Sequence, residues 1–534
     1  MPKIDMSRFS GLPSQACWGT RIRAARSVPS GATLIGIRAI RSRNSMDANS
    51  AEELLKRKYT LWIVSLLTIV LFLVTNLPWQ LDDYDQAKQA FTSFEMVKEG
   101  RWLYQHTPHE RVATKPPLVG WISAGLFATT RSWDAAWRLP SFLAALAISI
   151  LLFRAASSAY GAIPGLIALS AFGLNLLSPR VATLVRTDMP LALVIFLLGL
   201  LIWRKVRNGE EWRSRDRFLM FLLLTAAMLI KGPIVYAFLL PGVGIFEWWR
   251  RKGQATTAWC GWWPWVASLG IFLLWVIGGS IFVPKFFDQV VIREFLARFG
   301  TTVHQPKEFF FYFPHLLHKF FPWSALMMAG AIVDLRRGAS KPRSLFREMS
   351  PETFWLVCWS VGGLIAMSLV PSKRVDRVFP VIPPLCLLLA AQVARISANQ
   401  EWRECVYRWS AAALLFSILF TGGYAVAKVI SGYRGHRDAL VTFGHEVRRE
   451  TQSHHWRCEA IAGSDEGMLL YLERAHFIQP ARAVDEWNRG NLDALVVPTE
   501  EAPNLMRQLH DAALGGLRSA VRKNGGTEYV LIVH

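Results

Sequence analysis

The sequence predicts a polytopic α-helical membrane protein with a small α/β soluble domain at its C-terminal end. Three observations predict it. Apolar residues make up 52% of the 534-residue chain and lie in long uninterrupted blocks, not in the short periodic runs that build soluble cores. The Lys and Arg residues behind a formal net charge of +21 sit mainly in short clusters between those blocks. Membrane topology and anionic headgroups account for that placement, so membrane lipids are expected partners and nucleic acid is not. From about residue 432 the long blocks stop, and short β-branched runs such as "DALVVPTEE" and "EYVLIVH" alternate with amphipathic stretches such as "ALVTFGHEVRRE".

The elements follow in chain order. Residues 1–45 are Arg-rich and acid-poor, with no apolar core of signal-peptide length, and read as a disordered or transit-like basic leader. Met46 opens "MDANSAEELLKRKY", a natural N-terminus with a basic flank, so the native start is expected there and residues 46–431 form the membrane domain. The first span, Tyr59 to Trp79, runs roughly twenty residues without a charge, enough for a hydrocarbon core of about 30 Å, with Trp62 and Trp79 suited to the aromatic belts. Further spans are expected at 137–154, 160–178, 188–204, 217–232, 233–249, 264–283, 322–334, 353–370, 376–393 and 408–430. With Lys56-Arg57-Lys58 inside, the basic loops "RAASSAY", "RKVRNGEEWRSRDR", "RRKGQ", "DLRRGASKPR" and "ARISANQEWREC" all fall inside. Loops 80–136, 179–187, 284–321 and 371–375 then share the outer face with domain 432–534. The segment "PPLVGWISAGLFATT" is short for a span, and a crossing there would put the Arg-rich segment 204–217 outside. It is therefore placed in the interface.

Charge gathers in the outer loops. The first carries Asp82, Asp83, Asp85, Lys88, His106, His109, Arg111 and Lys115; the second Arg180, Arg186 and Asp188; the third Arg293, Glu294, Arg298, His304, Lys307 and Glu308; the fourth Lys373, Arg374, Asp376 and Arg377. Carboxylates and cations converging at a membrane surface suit an anionic lipid headgroup. A carboxylate there can serve as general base for a hydroxyl, while Lys and Arg neutralise charge on a departing phosphate. Asp188 stands at the mouth of an apolar helix and needs a partner such as Arg186. Plainer readings stay open: a solvated acidic cap for Asp82, Asp83 and Asp85, an extended lead-in at Lys115-Pro116-Pro117, and snorkelling anchors for Lys373 and Arg374. Six cysteines show no CxxC pair, which speaks against a disulfide framework or thiolate zinc site. The pairs His106/His109 and His315/His318 have i,i+3 spacing, but no acid completes a ligand pattern; no cofactor is assigned, and a divalent cation is left open.

The run "DYDQAKQAFTSFEMVKEGRWLYQHTPHERVATKPPLVGWISAGLF" resembles the first external loop of the bacterial aminoarabinose transferases, within the dolichyl-phosphate-mannose protein mannosyltransferase-like GT-C superfamily. The matching features are Asp85-Gln86, Ala90, Glu95-Met96, Gly100-Arg101-Trp102 and Lys115-Pro116-Pro117. "WRLPS", "RTDMPLAL", "REFLARF", "FFPWS" and "SKRVDRVFPVIPPL" resemble later motifs in the order the family has them, so the likeness covers roughly residues 58–400. The resemblance implies a GT-C fold of about 11–13 spans. It also implies transfer of a sugar from a polyprenyl-phosphate-linked donor to a lipid A, glycan or other cell-envelope acceptor, on the periplasmic side of the bacterial inner membrane. By it, Asp85 and Asp188 would be catalytic, and Lys115, Lys373 and Arg374 would bind the donor phosphate. Gln86, Lys88, Arg293 and His304 are further candidates for substrate binding. Thr114 and Gln86 stand where the aminoarabinose enzymes have Glu, which leaves the sugar open. The competing readings are a transporter or flippase of lipid-linked sugars, against which the lack of a convincing internal repeat counts, and a non-catalytic receptor.

Overall fold

The computed structural model describes residues 51–81, 83–109, 111–249, 257–298, 306–338, 349–463, 465–523 and 525–534, all within one compact unit, Ala48–His534. The basic leader lies outside the described residues, as do Asp82, His304 and the side chains of Glu294 and Arg298.

Each of the eleven expected spans coincides with a helix. In chain order these are α1 (Lys58–Val74), α4 (Trp133–Tyr160), α5 (Ala162–Gly173), α7 (Asp188–Asn208), α8 (Ser214–Lys231), α9 (Ile234–Trp249), α10 (Trp263–Phe282), α12 (Trp323–Gly338), α13 (Pro351–Leu369), α14 (Ile382–Ser397) and α15 (Gln400–Arg434). The short α6 (Ser178–Ala182) precedes α7. Among the described residues, six helices are long and apolar enough to cross a membrane. A seventh crossing would come from α11 (Tyr312–Lys319) and α12 taken together, a pair bent by 103°. The protein is therefore a multi-pass membrane protein.

Helix packing inside the bilayer gains nothing from the hydrophobic effect and depends on close van der Waals approach. At the α9–α13 contact, Gly242 and Gly362 provide it: a Cβ on Gly362 would lie 2.6 Å from the Gly242 nitrogen, so any side chain there would force the helices apart.

Helices α2 (Tyr84–Glu99) and α3 (Leu118–Thr130) also lie outside the span set. Helix α2 is capped by Asp83, whose side chain accepts from the Asp85 amide at 3.1 Å, and is closed by Gly100 at φ 71°. Helix α3 has 13 residues, about 20 Å of rise, short of a hydrocarbon core of about 30 Å, as is the 12-residue α5. Helix α3 runs beside α2: the Trp121 indole donates to the Trp102 carbonyl at 2.8 Å, and Trp133, just past its end, packs on Phe94 at 5.3 Å between ring centroids.

After α15 come α16 (Ala439–Ser453), α17 (Gly467–Tyr471), α18 (Pro480–Asn488), α19 (Ala502–Met506) and a four-stranded sheet of order β1-β2-β4-β3. Strand β1 (Cys458–Ala460) runs parallel to β2 (Ala494–Pro498), while β4 (Tyr529–Val533) is antiparallel to both β2 and β3 (Ala513–Arg518). All five residues of β2 are buried, as expected for a strand covered on both faces. One of those faces shares a core with α2: Ala87, Ala90, Phe91 and Phe94 pack with Phe443, Met468, Tyr471, Val496 and Leu531. Helix α2 is thus held between the membrane helices and the C-terminal sheet region.

Candidate active site

The face of α2 away from that shared core lines a cavity of about 320 Å³. Tyr84, Asp85, Lys88, Gln89 and Thr92 recur at helical spacing along it. Opposite runs the strip Arg111–Lys115, pinned by a β-bridge between His106 and Val112 and ending at the prolines that lead into α3. Arg186, Thr187 and Asp188 enter at the start of α7, and Lys231 enters at the end of α8, because antiparallel neighbours bring those two ends to one level. A π-helix, Phe287–Phe295, supplies Gln289 and Arg293 four residues apart. It is tied to the strip by the Val112 amide, which donates to Gln289 Oε1 at 2.8 Å. Arg374, Asp376 and Arg377, around the start of the 3-10 turn Val375–Val381, close the ring.

The lining is strongly cationic. Lys88, Arg111, Lys115, Arg186, Lys231, Arg293, Arg374 and Arg377 stand against Asp85, Asp188 and Asp376, a balance suited to a ligand with several negative charges. Arg374 Nη1 is ion-paired with Asp85 Oδ2, and Arg186 Nη2 lies 3.9 Å from the same oxygen. Arg186 also pairs with Asp83 and, at 2.9 Å, with Asp376. Burial alone would raise the Asp85 carboxyl, but the Arg374 ion pair with the Arg186 and Lys115 charges holds it below the usual aspartate range. It is an anion at neutral pH and a weak base while Arg374 stays in place. Lys88 is pushed down by burial, a shift opposed by Glu466 and Asp85; its ammonium lies 3.4 Å from Thr114 Oγ1. Glu466, from the C-terminal region, is itself raised by burial against the pull of Lys88 and Arg111.

Of the expected site residues, Asp85, Lys88, Lys115, Asp188, Arg293 and Arg374 meet in this cavity. Two are placed elsewhere. Lys373 is buried and donates to the Lys307 carbonyl at 2.8 Å, because adjacent residues in extended chain point to opposite sides and Arg374 takes the cavity side. Gln86 follows Asp85 on a helix and so faces about 100° away; it is buried and accepts from the Val185 amide at 3.2 Å. His304 lies outside the described residues. The partner of Asp188 is Lys231 at 2.5 Å rather than Arg186, which Asp83 and Asp376 claim most closely.

Lys231 and Glu466 were not foreseen. A signal for Lys231 existed: an ionisable residue ending the apolar run "MLIKGP" demands a partner. Glu466 offered none. Arg111, Asp376 and Arg377 stood among the loop charges without a role. His106 and His109 diverge, His106 Nδ1 lying 3.6 Å from Glu95 and His109 Nε2 3.9 Å from Glu466. Among the described residues no three His, Cys, Asp or Glu side chains form a metal-binding group.

Known proteins resemble this chain in both sequence and fold. The family model described as dolichyl-phosphate-mannose-protein mannosyltransferase matches residues 114–278. The undecaprenyl phosphate-alpha-4-amino-4-deoxy-L-arabinose arabinosyl transferase 1 of Sodalis glossinidius is 26% identical over 344 residues, covering 61% of this chain and 56% of that protein. The corresponding transferase of Aeromonas salmonicida is 27% identical over 367 residues, covering 66% and 63%. The chain thus spans less than two thirds of the length of these relatives. In fold, it matches ArnT from Cupriavidus metallidurans bound to undecaprenyl phosphate with a TM-score of 0.62 at 16% identity, covering 88% of this chain and 97% of that one. An oligosaccharyltransferase of Archaeoglobus fulgidus matches at 0.50 and 14% identity, covering 83% and 70%. The fold is the GT-C fold.

Proposed function

We propose that this GT-C chain is a membrane glycosyltransferase that moves a sugar from a polyprenyl-phosphate donor to a lipid A, glycan or other envelope acceptor on the periplasmic face of a bacterial inner membrane. The observation that carries the reading is Asp85, an ionised carboxylate ion-paired to Arg374 on the wall of a cavity otherwise lined largely by cations. The names of the relatives support the donor class, since they are undecaprenyl-phosphate aminoarabinose transferases.

The chemistry follows from the charges. The acceptor hydroxyl oxygen attacks the anomeric carbon, the bond from that carbon to the phosphate oxygen breaks, and its electron pair leaves with the lipid phosphate. Lys88, Lys115, Arg293 and Arg374 offset the charge gathering on that phosphate, the largest kind of contribution such sites make. The hydroxyl proton passes to Asp85. Donor phosphate competes with Asp85 for Arg374. As Arg374 turns to the phosphate, Asp85 loses the partner that keeps it acidic and becomes a better base at the stage when a base is needed. The bilayer confines donor and acceptor to one interface, which removes much of the entropic cost of bringing them together.

The test is transfer of radiolabelled sugar from purified polyprenyl-phosphate sugars to a membrane-glycolipid extract, wild type against Asp85→Asn, both in detergent. Label transferred by wild type alone is the expected result. Folded wild-type protein that binds donor lipid yet transfers from none would overturn the reading in favour of a lipid-sugar flippase or receptor.

A further inference from the structure

A second cavity, of about 310 Å³, lies between the α3–α4 junction and α16 of the C-terminal region. It matches the first in size and falls at the small end of pockets that take small ligands. Its wall includes the buried residues Trp133, Trp137 and Tyr471, and charged side chains stand around them. Arg448 is paired with Glu473 at 2.7 Å, and His445 lies 3.5 Å from Asp134. Arg131 and Arg449 have no ion-pair partner among the described residues and are exposed. The carboxylates are therefore already engaged, and two guanidinium groups remain uncompensated on the lining.

Arg131 also holds the position that closes α3 at φ 54°, a backbone conformation in which glycine costs least and a long side chain is uncommon. The chain keeps a cation there at some conformational cost.

The two cavities are joined structurally by α2. Asp85, near its start, faces the first, and Phe94, nine residues on, packs against Trp133 in the wall of the second. The helix between them is about 14 Å long, the reach of a few linked sugar units.

From this placement we infer that the second cavity binds a phosphate-bearing saccharide unit of the acceptor, with Arg131 and Arg449 as its anion contacts. The inference rests on the transferase reading for the word acceptor, because the donor's phosphate is assigned to the first cavity. The planar guanidinium fork matches phosphate oxygens in pairs, which makes arginine the suited residue for the task.

The experiment reads binding without transfer, so a missing transferase activity and a missing subsite are separable. The full chain in phosphatidylcholine nanodiscs is titrated calorimetrically with glucose 6-phosphate, inorganic phosphate and glucose. Wild type should show two phosphate-binding sites and no binding of glucose. In Arg131→Gln/Arg449→Gln one of the two should weaken by about tenfold or more; both residues are exposed, so folding is not at issue. Glucose 6-phosphate bound more tightly than inorganic phosphate supports recognition of the saccharide with its phosphate, and equal affinity overturns the saccharide assignment and leaves a site for phosphate alone. Retention of both sites at wild-type affinity in the double variant, or binding of glucose as tight as that of its phosphate, overturns the proposal. Loss of the site on moving wild type into phosphatidylglycerol nanodiscs would overturn the acceptor assignment and give the site to a membrane headgroup. With transfer in hand, the same double variant should raise the acceptor KM while the donor KM holds.

Discussion

Asp85 and Asp188 line the same cavity and each is paired with a cation, yet the two corners are physically unlike. The side chains of Asp85 and Arg374 are 42% and 41% exposed, whereas those of Asp188 and Lys231 are each 10% exposed. A half-exposed ion pair holds far less tightly than a buried one, toward the ~0–1 kcal/mol of a surface pair, so an incoming phosphate can take Arg374 at modest cost. Removing one partner of a buried pair costs about 3–5 kcal/mol, because the other charge is left without water or counter-ion. The same residue types are therefore suited to different work: Asp85, with an exchangeable partner, to a proton-transfer step, and Asp188, with a buried one, to holding the α7 and α8 ends together.

Four substitutions would break or sharpen that contrast. The largest effect is expected from Asp85→Asn, with kcat falling about 10²- to 10⁴-fold, the usual worth of a positioned base, and an unchanged Tm. A Tm drop of the size predicted for the buried corner would erase the distinction. Next, Lys231→Met should destabilise the protein by about 3–5 kcal/mol, measured by thermal unfolding in detergent, with Asp188→Asn added to Lys231→Met recovering part of the loss. Equal stability of the single and double variants would show that the pair is not held as tightly as its burial requires.

Arg374→Gln comes third, and its sign follows from Asp85. A depressed carboxyl places the acid limb of kcat/KM below the ordinary aspartate value of about 3.9. Without Arg374, burial is less opposed and that limb moves up in pH, together with a higher donor KM. In wild type the acid limb of kcat, which reports the loaded enzyme, should lie above that of kcat/KM if donor phosphate draws Arg374 away. Coincident limbs would argue that Arg374 never leaves. The smallest effect belongs to Glu466→Gln. Lys88, already lowered by burial, loses a charge that supports its protonated form, so the alkaline limb should shift to lower pH. An unmoved limb would separate Glu466 from the site.

Much of this architecture was legible because its causes are local. An uncharged run of some twenty residues must cross a bilayer whatever surrounds it. The basic loops give an expectation for its two sides. Asp83 at the head of α2 and the prolines before α3 act on their own neighbourhoods. These features put Asp85, Lys115, Asp188 and Arg374 in loops expected at one membrane surface, and the structure brings them to one cavity.

The pairing within the cavity was decided elsewhere. Lys373 and Arg374 are neighbours of like charge, and which one faces the cavity depends on the rotation of the chain as it enters Val375–Val381. Lys231 stands 43 residues from Asp188 and reaches it because α7 and α8 pack side by side. Glu466 meets Lys88 because the C-terminal region folds back onto α2. The sequence by itself determined which segments form apolar helices and which loops between them carry charge, since each follows from the transfer free energy of a short segment. Only the tertiary structure decided which charges pair, which remain free to meet a ligand, and that a second cationic cavity exists, because Coulomb attraction depends on distance and burial and neither is a property of a segment alone.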